Sequence, residues 1–167
     1  MHYFARYNSP MGELFLVGDE NSIVGLWTTG QQYTKELCEK NDLAVLREGI
    51  AWLDDYFTGG KPDGSALPLA PAGSAFRQQV WNILIEIPYG GLTTYGDVAN
   101  ETAKRMGKDR MSARAVGGAV GNNPISIIIP CHRVIGSDGS LTGYSGGIEK
   151  KIWLLKHEGV DIIKNRK

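Results

Sequence analysis

Pro130-Cys131-His132-Arg133-Val134 places a thiol, an imidazole and a guanidinium on three consecutive residues. The thiolate, not the thiol, is the nucleophile, and cationic or hydrogen-bonding neighbours lower the thiol pKa. His132 can take a proton and Arg133 can supply positive charge. An acid further along the chain, Glu158, can orient the imidazole, as the third member of a triad does. The isoleucine-rich residues 125–129 read as a β-branched strand whose end presents Cys131 at a cleft. A competing account makes Cys131 a buried small hydrophobe, the commonest fate of a lone cysteine. Composition favours that account, and the Pro-Cys-His-Arg setting brings the two level.

The elements that must position these groups follow from periodicity and turn signals. Residues 3–7, 13–17 and 22–27 alternate as strands between Asn8-Ser9-Pro10-Met11-Gly12 and Gly18-Asp19-Glu20-Asn21, an antiparallel meander. Leu43, Leu46, Ile50, Leu53 and Phe57 then recur at helical spacing, with Asp42 as the expected cap and Gly59-Gly60 as the stop. Pro62, Pro68 and Pro71 lie in a linker, which sets a domain boundary near residue 72. Beyond it Ser74 caps a helix that ends before Pro88, Thr94 opens one over residues 95–106, and Ser112 caps one over residues 113–120. The last two have helix-turn-helix spacing. A polar turn at residues 136–139 and a closing amphipathic helix over residues 148–157, ended by Gly159, complete the reading.

At this point several motifs align in order. Ile129-Pro130-Cys131-His132-Arg133-Val134 is followed by Gly143-Tyr144-Ser145-Gly146-Gly147. Upstream stand Arg114-Ala115-Val116-Gly117-Gly118-Ala119 and Asn122-Asn123-Pro124, downstream Lys151, Trp153-Leu154-Leu155 and His157-Glu158-Gly159. Residues 74–160 thus resemble the O6-alkylguanine-DNA alkyltransferases, the methylated-DNA–protein-cysteine methyltransferases. Residues 1–70 resemble them only through Ser9-Pro10-Met11-Gly12 before a strand. The resemblance implies an α+β fold. Its small N-terminal antiparallel sheet with a helix would be ribonuclease H-like, and its mostly helical C-terminal domain winged-helix-like and DNA-binding. It further implies a DNA repair protein that moves an alkyl group from O6 of guanine, or O4 of thymine, irreversibly onto its own cysteine.

Carried over residue by residue, the resemblance makes Cys131 the acceptor and His132 a base acting through water. Glu158 holds the histidine, Asn123 fixes the active-site turn, and Tyr95 donates to the base as charge develops on the leaving guanine. Ser145 and backbone groups near Cys131, Val134 among them, read the base edge, and Tyr144 and Lys151 line the pocket. The target atom lies inside the duplex, so the nucleotide must be flipped out. The small residues of the second helix of the pair let its backbone approach the minor groove, and Arg114 fills the gap in the stack. Thr94, Ser112, Ala115, Gly117 and Arg133 join Arg114 as DNA contacts. Tight helix packing also explains the small residues, but not a single long arginine among them.

Chemistry alone supports a soft sulfur nucleophile at an alkyl carbon and a donor on the leaving oxygen. No cofactor is implied. The cysteines and histidines are too widely separated to suggest a metal site. Three other readings compete. A lesion sensor of this fold would lack the cysteine, a helix-turn-helix regulator would leave residues 130–134 unexplained, and a Cys-His hydrolase would turn over. The connection over residues 101–110 is longer than the family's usual one, and its Lys104, Arg105, Lys108 and Arg110 suit either phosphates or solvent.

No apolar run reaches the ~18 residues of a membrane span, the N-terminus has no signal-peptide pattern, and the 2 cysteines form no disulfide framework. The expectation is a cytoplasmic monomer whose partner is double-stranded DNA, nucleoid-associated when bound, with no membrane partner. The 18 Lys+Arg and 18 Asp+Glu give zero formal net charge. Residues 1–72 hold 5 and 10 of them, a net of −5, which leaves 13 and 8, a net of +5, for residues 73–167. The basic half carries the cysteine and the helix pair, as a phosphate-facing domain should.

Overall fold

A computed structural model describes residues 1–28, 36–141, 144 and 147–162. The chain forms two compact units, one of Met1–Ala72 with Pro124–Ser126, the other of Gly73–Asn123 with Ile127–Lys167. No helix among the described residues is long and apolar enough to cross a membrane.

The first unit is α+β. Strands β1 (His2–Ser9), β2 (Gly12–Gly18) and β3 (Ile23–Thr28) form the antiparallel meander. A strand the periodicity did not reveal, β4 (Leu37–Glu39), pairs parallel with β1 and gives the order β3-β2-β1-β4. Three residues are too few to show a period. Helix α1 (Ala44–Phe57) lays Leu46, Leu53 and Tyr56 into a core with Leu14, Leu16, Ile23 and Leu26. Each such aliphatic side chain contributes about 1.5–3 kcal/mol through burial.

The expected Asp42 cap is not made. The N-cap is Leu43, without a side-chain hydrogen bond, so Asp42 stands one residue too early. The proline-containing linker is tied down rather than loose. Pro68 accepts from the Ile23 amide at 2.7 Å, and the Ala70 amide donates to Ile23 at 2.8 Å. Residues 124–126 make a similar pair of bonds with Leu26, which is why they belong to this unit.

The second unit is mostly helical. Helix α2 (Ala75–Ile85) is capped by Ser74, α3 (Tyr95–Arg105) by Thr94 and α4 (Ala113–Gly121) by Ser112, each oxygen accepting the amide three residues on. Trp81 of α2 is buried, and its Nε1 donates to the Ala119 carbonyl of α4 at 2.9 Å. A two-residue strand before α3, β5 (Thr93–Thr94), pairs in parallel with β6 (Val134–Ile135). Helix α5 (Ile148–His157) follows, and its Leu155 packs with Ile135, Leu141 and Ile162.

The isoleucine-rich segment is not a strand. Only Ile125 makes an isolated bridge, and residues 126–129 turn. Ile127 adopts a positive φ of 71°, alone among the described non-glycine residues. A left-handed β-branched residue costs on the order of 1–3 kcal/mol and is tolerated where its surroundings over-determine it. Here the surroundings are a buried pocket, since Ile127, Ile128 and Ile129 are all inside. Their burial is satisfied in a turn, so β-branched composition misled the strand reading.

Candidate functional site

The turn of residues 126–129 delivers the chain into Pro130, whose φ of −80° and ψ of 66° make an inverse γ-turn. The Cys131 amide donates across it to the Ile129 carbonyl at 2.8 Å. The same carbonyl accepts from Asn123 Nδ2 at 2.8 Å, so Asn123 locks the turn at the end of α4. Cys131, His132 and Arg133 then form one buried 3-10 turn before β6.

Burial pushes the Cys131 thiol above its ordinary pKa. A hydrogen bond from Asn123, the charge of Lys151 and the backbone amides of Cys131 and His132 pull the other way and do not prevail. The expectation of a thiol already lowered by its neighbours is therefore corrected. The folded site holds the thiol and must remove its proton.

Lys151 of α5 is 1% exposed. Its Nζ donates to the Val134 carbonyl at 2.6 Å and lies 6.0 Å from the Tyr95 ring centroid. Burial pushes its ammonium down to about 8, against a raising influence from Cys131. Tyr95 opens α3, and its hydroxyl is pushed up first by burial and then by the sulfur. The phenol thus stays protonated and able to donate. A Cβ added at Gly117 of α4 would stand 4.0 Å from Tyr95 Cδ1, so this glycine shares Tyr95's surroundings.

Behind the cysteine lies a buried charge cluster. His132 Nε2 and Glu158 Oε2 are 2.6 Å apart. Arg133 donates from Nε to Oε1 at 2.7 Å and from Nη2 to Oε2 at 3.1 Å. The Gly90 amide donates to Oε1 at 3.1 Å. Burial would raise the Glu158 pKa, but His132 and Arg133 outweigh it and hold the carboxyl well below the usual range. Burial lowers the His132 pKa against the opposing pull of Glu158, so the ring is neutral. Its Nδ1 is buried and has no hydrogen-bonding partner among the described residues.

This cluster corrects one assignment. Arg133 was expected on DNA, but it is 6% exposed and its third contact, Nη1 to the Ile87 carbonyl at 2.6 Å, is also internal. Its guanidinium is consumed inside the unit. The Gly90 amide and the Ile87 carbonyl went unnoticed in the sequence, where a Pro-Tyr-Gly-Gly turn signals a bend but not its partner.

The other expected residues separate by exposure. Ser112, Arg114 and Ala115 are exposed on the N-terminal turn of α4, Gly117 is half-buried, and Val116, Ala119 and Val120 face inward. Ser112 and Thr94 hold helix caps with their side-chain oxygens. Tyr144 is half-buried. Val134 is fully buried and its carbonyl is engaged by Lys151, so any ligand contact it makes is through backbone. Ser145, with Gly143 and Gly146, lies outside the described residues.

Residues 75–160 match the family described as 6-O-methylguanine DNA methyltransferase, DNA binding domain. Residues 2–71 match the ribonuclease-like domain of 6-O-methylguanine DNA methyltransferase. A methylated-DNA–protein-cysteine methyltransferase of Salmonella typhimurium is 50% identical over 165 residues, covering 90% of this chain and 92% of its own. One from Haemophilus influenzae is 42% identical over 163 residues, covering 96% and 88%. The crystal structure of Mycobacterium tuberculosis OGT in complex with DNA aligns with a TM-score of 0.81 at 35% identity over 98% of both chains. That of Mycobacterium tuberculosis O6-methylguanine methyltransferase aligns at 0.79 and 38%, covering 95% of this chain and 93% of the other. With both halves matched and such relatives spanning nearly its whole length, the chain belongs to the 6-O-methylguanine DNA methyltransferase family, the methylated-DNA–protein-cysteine methyltransferases.

Proposed function

We propose that this chain repairs DNA by taking the alkyl group from O6-alkylguanine, and from O4-alkylthymine, onto Cys131 in a single irreversible event. The observation that carries the reading is the buried succession Cys131, His132, Glu158 with Asn123 on the sulfur. The thiol proton passes through a water to His132 Nδ1, the ring's acceptor nitrogen. The thiolate attacks the alkyl carbon, a carbon–sulfur bond forms, and the carbon–O6 bond breaks with its electron pair going to the base. Tyr95 donates to the guanine as that charge develops. The thiol's proton ends on the departing guanine, and the thioether has no route to hydrolysis. Lys151 favours the thiolate through its charge.

The target base lies inside a duplex, so the nucleotide flips out before transfer. The exposed turn of α4 enters the minor groove, with Arg114 filling the stack and Ala115 and Gly117 allowing close approach. Ser112 and Thr94 sit at the DNA-facing helix starts, and Tyr144 and Ser145 contact the flipped base. The protein acts as a cytoplasmic monomer, on the nucleoid when bound to DNA.

The test is a duplex oligonucleotide carrying labelled O6-methylguanine. Label on the Cys131 peptide, at no more than one equivalent per chain, is expected. Multiple turnovers, or binding without transfer, would contradict the reading.

A further inference from the structure

Three donors converge on the two oxygens of Glu158, Arg133 Nε, Arg133 Nη2 and the Gly90 amide, and His132 Nε2 stands 2.6 Å from Oε2. A carboxylate offers about four lone-pair sites. Arg133 and the Gly90 amide fill three of them with hydrogens, which favours the anion, and beside an anion the ring nitrogen facing Oε2 carries the hydrogen. Arg133 supplies two of the three donors. It also anchors the turn that supplies another, since its Nη1 holds the Ile87 carbonyl three residues before Gly90.

We propose that Arg133 is a positioning residue for the transfer reaction: its fork on Glu158 keeps that carboxyl an anion and so fixes His132 with Nε2 protonated and Nδ1 as the acceptor. The inference rests on the reading above, in which His132 Nδ1 receives the Cys131 proton. An ionised Glu158 can only accept, so neutral His132 donates from Nε2 and exposes a lone pair at Nδ1. A protonated Glu158 would donate to Nε2, the ring hydrogen would move to Nδ1, and the ring would lose its basic face. The buried carboxyl needs a permanent charge beside it to avoid that state, and only a guanidinium brings charge and two parallel donors together.

Among the described residues, charged and titratable groups reach the cluster from three elements. Arg133 and His132 approach Glu158 from the 3-10 turn. Tyr89, beneath the Arg133 guanidinium at 5.9 Å from its ring centroid, comes from the turn before β5 and feels both charges. Lys151, from α5, acts on His132. Arg133 is the one of these that bonds both carboxylate oxygens.

The experiment compares wild type, Arg133→Lys and Arg133→Met in single-turnover transfer from the methylated duplex across pH. Removing an adjacent opposite charge raises a carboxyl pKa by about 1–3 units. Arg133 lowers the pKa of both Glu158 and His132, so the acid limb of the Arg133→Met profile is expected to move up by about 1–3 pH units, with Arg133→Lys between it and wild type. A residue that only stabilised the fold would lower the rate in step with the folded fraction, read by circular dichroism at each pH, and a limb that stays unmoved once rates are scaled to folded protein overturns the proposal.

An independent measurement reads the tautomer directly. Imidazole 15N shifts are recorded on histidine-labelled protein, with the signals of the 3 histidines assigned through His2→Gln and His157→Gln. Wild type is expected to show His132 Nδ1 unprotonated, and the variants to show a growing Nδ1–H population as pH falls. A neutral wild-type ring protonated at Nδ1 overturns the proposal even if neither variant folds. Wild type that transfers no label to Cys131 defeats the functional reading instead, and the tautomer measurement still decides the role of Arg133.

Discussion

Glu158 joins the proposed chemistry to the stability of the fold, through its bonds to His132 and Arg133. Replacing it with glutamine leaves the Arg133 guanidinium buried without its counter-charge, which costs about 3–5 kcal/mol. Chemical denaturation at neutral pH is expected to show that loss. The pH dependence has a definite sign. The folded carboxyl is held below its ordinary pKa, so on acidification the unfolded chain binds the proton first. The buried His132 ring, with its pKa lowered, acts in the same direction at higher pH. Stability from both is complete above their unfolded values, about 6.5 for histidine and about 4.3 for glutamate, and is lost as pH falls below each. Unfolding at stepped pH is expected to show a slope through the carboxylate range that flattens in Glu158→Gln. An unchanged slope would place the acid sensitivity elsewhere.

At the scale of elements, the site depends on where two helices stop and start. Glu158 is the C-cap of α5. Beyond it the Gly159 amide donates to Lys156 and the Val160 amide to Leu155, a Schellman closure that requires the positive φ of 82° at Gly159. Gly159→Ala forces an L side chain into that conformation at about 1–2 kcal/mol. Thermal unfolding is expected to fall accordingly, with slower transfer because the shifted cap carries Glu158. At the other end, Arg114 stands exposed on the first turn of α4, beyond the Ser112 cap. Arg114→Ala is expected to slow repair of duplex DNA at least tenfold while changing reaction with free O6-methylguanine little, about 1.4 kcal/mol of stabilisation lost per factor of ten. Equal losses on both substrates would contradict a role in opening the stack.

Over the whole molecule, zero net charge conceals halves of opposite sign, and the unit with the cysteine is the basic one. Binding through phosphates releases counterions, so affinity for duplex DNA is expected to fall on the order of tenfold or more between about 50 mM and about 200 mM salt. A salt-independent affinity, measured by fluorescence anisotropy, would show that the basic half does not carry the contact.

The linear order of residues was enough for most of what depends on local pattern, the Asp42 cap and the three-residue β4 excepted. Strand alternation, helical spacing, Ser74, Thr94 and Ser112 as caps, and the ordered motifs from Arg114 to Gly159 were all readable, because each is set by neighbours within a few positions. Tertiary structure alone decided the matters that depend on burial. The isoleucine-rich segment looked like a strand, but beyond the bridge of Ile125 to Leu26 it turns, with Ile127, Ile128 and Ile129 buried. Arg133 looked like a DNA contact, but a carboxylate 25 residues away claimed it. The thiol looked activated by its cationic neighbours, but desolvation outweighed them. Sequence adjacency names the groups that can react. Which of them are charged, and toward what they point, is set by dielectric and by partners brought together only when the chain folds.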